Sequence, residues 1–155
     1  MWNNVSSAKK FHSGTVRKQI LINATRDKVW KKISNIVGLP EWINEIKKAT
    51  YLSKIKRGVG VIRKLTFDDG NVIEEHIVIW NPNHFFSYIA TTGLPLRVYH
   101  ATISIQSKNK KSVYLTWSSY LNSKKMTSKE FKEFVLYLET FYEKSLRALK
   151  FQLEN

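Results

Sequence analysis

The chain has 155 residues, 43% of them hydrophobic and 13% aromatic, and a formal net charge of +14. That length suits one domain with one core, and that composition excludes a disordered chain. With no cysteine, disulfides, thiolate nucleophiles and cysteine-held metals are out, which fits a reducing cytoplasm.

The first fourteen residues are polar and lack the apolar stretch of a signal peptide, and no apolar run approaches the ~18 residues of a membrane span. The expectation is a cytoplasmic protein with a flexible tail at residues 1–14 and a single domain at 15–155. The charge is uneven: residues 1–64 carry 15 basic and three acidic side chains, the remainder 11 and nine. Such a field favours anionic partners, and docking on an anionic membrane surface is the expectation for residues 1–64. The lysines are scattered and form no dense run, so nucleic acid is not the expected partner.

In chain order, residues 15–23 read as a strand with Val16, Lys18, Ile20 and Ile22 on one face. Thr25 suits an N-cap for a helix over 26–37, in which Val29, Trp30, Ile33 and Val37 recur at helical spacing. Gly38 ends that helix, and Pro40 suits the first turn of another, over 40–46. From Lys47 the period changes to two. Strands are predicted over 50–55, 60–67, 72–80, 84–91, 96–106 and 112–121. Asp68-Asp69-Gly70-Asn71 is a hairpin turn, Asn81-Pro82-Asn83 turns the chain again, and Ser107-Lys108-Asn109-Lys110-Lys111 closes the last hairpin. Strands joined this closely must be antiparallel. A final helix over 128–153, capped by Ser128, carries Phe131, Val135, Leu138, Tyr142, Ser145 and Leu149 along one stripe, with Phe134 and Phe141 broadening it. The order β-α-α-β₆-α describes a curved sheet gripping a long helix, with a cavity for a small apolar molecule between them.

Several segments in this order resemble the START-like (SRPBCC) superfamily, in particular its polyketide cyclase/dehydrase and lipid-transport branch. They are Ile20–Ala24 as Ile-x-Ile-x-Ala, Asp27-Lys28-Val29-Trp30, Gly38-Leu39-Pro40-Glu41-Trp42, and Gly58-Val59-Gly60-Val61-Ile62-Arg63. Asp69-Gly70-Asn71-Val72-Ile73-Glu74-Glu75 and then Trp80-Asn81-Pro82, followed by Phe86-Ser87-Tyr88, continue it. The resemblance runs from Thr15 to Leu153. It implies an α+β helix-grip fold, with about seven antiparallel strands around the C-terminal helix and two short helices after the first strand.

The resemblance also implies which side chains line the cavity. On the strands these are Arg63, Leu65 and Phe67; Ile73, Glu75 and Ile77; and Tyr88 with Ala90. Tyr99 and then Thr116, Ser118 and Tyr120 are assigned from the last hairpin, and Phe134, Leu138 and Phe141 from the helix. Gly93-Leu94-Pro95 resembles the loop that closes over ligand in plant hormone receptors of the superfamily.

Arg63 and Glu75 flank the Asp69-Gly70 turn on neighbouring strands, so an inward-facing pair is geometrically reasonable. Either it anchors a ligand carboxylate or hydroxyl, or it is an exposed rim pair worth about 0–1 kcal/mol. The four histidines are too scattered for a metal site, and neither a nucleophile elbow nor a phosphate-binding glycine pattern is present. No cofactor is expected. The reading favours a binder or carrier of a small hydrophobic molecule, such as a lipid or an aromatic, polyketide-like metabolite. The alternative is a cyclase/dehydratase-type enzyme using Glu75, Arg63, Tyr88 and Tyr99 for acid/base work.

Overall fold

The computed structural model describes residues 11–155. The elements are β1 (His12–Ile22), α1 (Arg26–Ile33), a single 3-10 turn (Leu39–Glu41), β2 (Ile46–Tyr51), β3 (Ile62–Phe67), β4 (Val72–Asn81), β5 (Phe85–Thr92), β6 (Val98–Asn109), β7 (Ser112–Ser123) and α2 (Ser128–Glu154). All seven strands form one antiparallel sheet in the order β1-β7-β6-β5-β4-β3-β2. The strands from β2 to β7 follow one another hairpin by hairpin, and β1 closes the far edge against β7. This is the α+β helix-grip fold.

α2 has 27 residues and so extends about 40 Å at ~1.5 Å per residue. Its stripe of Phe131, Leu138, Tyr142, Leu146, Leu149 and Leu153 is buried. The C-terminal end is fastened to the corner between β1 and α1. There Lys28 Nζ donates to the Leu153 carbonyl, Lys150 Nζ to the Leu21 carbonyl, and the Asn23 N–H to Glu154. The N-terminal half of α2, with Phe134, Tyr137 and Phe141, extends over the β3–β4 end of the sheet. Trp30 of α1 packs edge-on against Trp80, with ring centroids 5.2 Å apart, and fills the opposite end of the core.

Several boundaries differ from the sequence reading. β1 begins at His12, with His12 opposite Ser123 and Gly14 opposite Leu121, so residues 12–14 of the expected tail are strand. Residues 1–10 of that tail lie outside the described residues. α1 stops at Ile33, and the expected second helix is only the 3-10 turn. The last turn of α1 closes with the Ser34 N–H on the Trp30 carbonyl, residues 36 and 37 form a turn, and Pro40 then lies in the first turn of the 3-10 segment. β2 occupies 46–51 rather than 50–55, pairing Tyr51 with Arg63 and Ala49 with Leu65. The N-cap of α2 is Thr127, not Ser128. Its Oγ1 accepts the Glu130 N–H at 3.1 Å, and Glu130 in turn accepts the Thr127 N–H, a reciprocal capping box.

Candidate functional site: a cavity under the long helix

The cavity has a volume of about 350 Å³ and lies between the sheet and the N-terminal half of α2. Its walls are apolar. Leu65, Phe67 and Ile73 come from β3 and β4, and Phe134, Leu138 and Phe141 from α2. Asp69, Asn71, Pro95 and Tyr137, all exposed, mark the mouth, with Leu94 beside them. Alternation in β3 and β4 puts Arg63, Leu65 and Phe67 on the same face as Ile73 and Glu75, because Arg63 pairs directly with Glu75 and Leu65 with Ile73.

At the inner end sits a buried polar cluster. Arg63 Nε donates to Glu75 Oε1 at 2.9 Å, Nη2 lies 2.8 Å from the same oxygen in an ion pair, and Nη1 donates to the Ile36 carbonyl at 2.8 Å. That carbonyl lies in the turn past the end of α1, outside any helix. The side chains of the pair are only 2% and 7% exposed, so the exposed rim pair is ruled out. The guanidinium also lies 4.8 Å from the Tyr88 ring centroid, within cation–π range. Burial pushes the Glu75 carboxyl above the usual carboxylate range, while the Arg63 charge pulls the other way.

Three tyrosines and a tryptophan complete the cluster. Trp117 Nε1 donates to the Tyr88 hydroxyl at 2.9 Å, and the Tyr99 and Tyr142 hydroxyls bond each other. Trp117 stacks on Tyr142 with ring centroids 4.0 Å apart. Burial pushes the Tyr88 and Tyr99 hydroxyls well above the ordinary tyrosine range, and Tyr142 upward as well. They therefore stay protonated and act as neutral donors and acceptors.

The loop 93–95 is held at the mouth by its glycine. Gly93 has φ +93, and a Cβ there would come within 2.0 Å of the Val72 carbonyl oxygen. Asn71 Nδ2 donates to the Gly93 carbonyl at 3.1 Å. The loop is thus clamped against the start of β4, leaving Leu94 and Pro95 on the cavity.

Ten of the fifteen expected lining residues meet at this cavity: Arg63, Leu65, Phe67, Ile73, Glu75, Tyr88 and Tyr99 from the sheet, and Phe134, Leu138 and Phe141 from α2, while Ala90, opposite Glu75, is half-buried outside it. Ile77 is fully buried and shares the Glu75 parity, but it lies in the packed core beyond the cavity. Tyr120 is wrong by one residue. It is 43% exposed on the outer face, opposite His100, and Thr116 is on that face too, bonded to Gln19. Ser118 shares their parity. The inward set of β7 is Val113, Leu115, Trp117, Ser119 and Leu121, the last directly opposite Tyr99. The greater apolar character of that set was the available signal.

Sequence reasoning also missed Trp117, Ile103 and Tyr137, and the wall formed by Leu39, Ile43 and Ile46 around the 3-10 turn. The heptad-like placement of Tyr137 between Phe134 and Phe141 could have marked it. Among the described residues, no group of three or more His, Cys, Asp or Glu side chains is placed to hold a metal ion. What the arrangement offers is apolar contact, a carboxylate–guanidinium pair and neutral hydroxyls.

Comparison with known proteins agrees with this architecture. The model of the family described as polyketide cyclase/dehydrase and lipid transport matches residues 13–154. No curated protein matches the sequence. Among solved structures, an uncharacterised protein from Bacillus thuringiensis superposes with a TM-score of 0.78 at 20% identity, covering 92% of this chain and 100% of its own. Protein XoxI from Bacillus cereus gives 0.77 at 20% identity, covering 90% and 94%. ZhuI aromatase/cyclase from Streptomyces sp. R1128 gives 0.77 at 16% identity, covering 92% and 94%. At these identities the likeness is one of fold. With the family match extending over nearly the whole chain, and the helix-grip architecture beneath it, this chain belongs to the polyketide cyclase/dehydrase and lipid transport family of the START-like superfamily.

Proposed function

We propose that the protein binds one small, largely apolar molecule bearing a hydroxyl or phenol, held in the cavity with its polar end at Glu75. The observation that carries this reading is the buried Arg63–Glu75 pair at the inner end of an otherwise apolar cavity. A volume of about 350 Å³ is at the small end of the ~300–1,000 Å³ range of ligand pockets. It suits an aromatic metabolite or a short acyl chain better than a two-chain lipid.

The polar end favours a donor. Arg63 is directed at Glu75 and the Ile36 carbonyl, and both of its contacts with Glu75 fall on Oε1. Among the described residues, no protein donor reaches Glu75 Oε2. A ligand hydroxyl supplies one, and a hydrogen bond to a charged group contributes ~1.5–3 kcal/mol. A ligand carboxylate would instead face the Glu75 carboxylate. Titration calorimetry with 2-naphthol, naphthalene and 2-naphthoate tests this. Naphthol should bind ~10-fold or more tighter than either of the others, an advantage that Glu75→Leu removes. Tighter binding of the carboxylate would refute it.

A second reading, acid/base catalysis of cyclisation or dehydration, draws support from the upward shift of the Glu75 carboxyl beside buried tyrosine hydroxyls. It predicts that Glu75→Gln abolishes turnover of a polyketide-like substrate while binding persists. Equal loss of binding and turnover would leave the carrier reading.

A further inference from the structure

The connection between β2 and β3 is a basic and apolar surface segment. Residues 52–60 read Leu-Ser-Lys-Ile-Lys-Arg-Gly-Val-Gly and contain no acid. No acidic residue occurs anywhere between Glu45 and Asp68. Leu52, Ile55 and Val59 are 51%, 51% and 59% exposed, and Lys54, Lys56 and Arg57 between them are exposed as well.

The segment has a defined shape. Its base is closed by the Leu52 N–H to the Ile62 carbonyl at 2.8 Å, and by Ser53 Oγ, which accepts the Ile62 N–H and donates to the Ile55 carbonyl. The Gly60 N–H bonds the Ile77 carbonyl at 2.9 Å, tying the loop to β4. The Lys56 Nζ and Arg57 guanidinium lie over the Tyr51 and Trp80 rings, at 5.7 and 5.9 Å from the centroids, which positions the two cations while both residues stay exposed.

We infer that the loop 52–60 docks the protein on an anionic lipid bilayer, with Leu52, Ile55 and Val59 entering the interface and Lys54, Lys56 and Arg57 contacting acidic headgroups. Three aliphatic side chains at least half exposed on one nine-residue loop would be an aggregation liability on a surface meant only for water. Alternated with cations, they match the two layers of a bilayer surface, apolar below and anionic above. A docked protein keeps its cavity free. The mouth is at the β3–β4 turn, and the six residues of β3 separate it from the loop by about 20 Å at ~3.3 Å per residue. The inference therefore does not depend on what the cavity holds.

The test is sedimentation of the full chain with phosphatidylcholine vesicles, with and without phosphatidylserine. The wild type should bind the anionic vesicles and not the neutral ones, and release with salt. The triple variant Lys54→Gln, Lys56→Gln, Arg57→Gln should bind about 100-fold more weakly, since each cation near the surface contributes about fivefold. Ile55→Ser with Val59→Ser should weaken binding about tenfold while its salt dependence persists. Lys108→Gln, Lys110→Gln and Lys111→Gln remove the same charge from the exposed β6–β7 turn and should change binding less than threefold. Circular dichroism checks that all three variants fold as the wild type does. An equal loss in the two charge variants would mean diffuse attraction and overturn the inference, as would no binding by the wild type. Tighter binding to a DNA or RNA oligonucleotide that survives Ile55→Ser with Val59→Ser would overturn it in favour of a nucleic-acid surface.

Discussion

Replacing Arg63 with methionine isolates the central electrostatic feature of the cavity. Methionine keeps much of the side-chain volume and removes all the bonds to Glu75 and to the Ile36 carbonyl. The Glu75 carboxylate, 7% exposed, then has no cation beside it, and breaking a buried pair on one side costs ~3–5 kcal/mol. Against a total stability of ~5–15 kcal/mol this is a large fraction. With a urea slope of about 2 kcal/mol per molar, the midpoint should fall by ~1.5–2.5 M, followed by the fluorescence of the five tryptophans.

The deficit should also depend on pH. Burial already holds the Glu75 pKa above its ordinary 4.5, and loss of Arg63 removes the influence that lowers it. The native state then binds a proton that the unfolded chain releases, so the variant's deficit is smallest below about pH 4.5 and grows as pH rises through the raised native pKa. Subtracting the curve of the double variant Arg63→Met, Glu75→Leu removes every other titrating group. That double variant should recover most of the lost stability at neutral pH, because a packed apolar pair is often as stable as a buried ionic one. An Arg63→Met protein within ~0.5 kcal/mol of wild type at all pH values would refute the argument, since an exposed pair behaves in that way.

The parity of β7 gives a paired test. Trp117→Ala should destabilise by ~3–5 kcal/mol and weaken naphthol binding, whereas Tyr120→Ala, on the exposed face, should stay within ~0.5 kcal/mol and leave binding unchanged, both read by denaturation and calorimetry. At the start of α2, Thr127→Ala should lower stability by ~0.5–2 kcal/mol, and Ser128→Ala should lower it far less; equal losses would show that the capping box is not formed.

Much of this architecture follows from local chemistry. The shift from a 3.6 to a 2 period after Ile46, the Asp68–Asn71 turn and the long amphipathic stripe after Thr127 define a sheet followed by one helix. The tight turn also sets the β3–β4 register, which is why Arg63 and Glu75 could be paired from the chain alone. Parity is legible in β3 and β4 because the turn links them directly. In β7 it is less so: Thr116, Ser118 and Tyr120 are hydroxyl-bearing residues that either face tolerates, and the choice is made by β1 and β6 packing on both sides. The Ile36 carbonyl, in the turn after α1, meets Arg63 across segments 27 positions apart, a contact that no local pattern marks. The mouth joins Asn71, Leu94 and Tyr137 from two separate connections and a helix. Sequence by itself determined the elements, their order and the charged pair, since those depend on neighbours along the chain. Tertiary structure alone decided that the cavity is open, which residues rim it and that the pair is buried, because those depend on how far the long helix stands from the sheet.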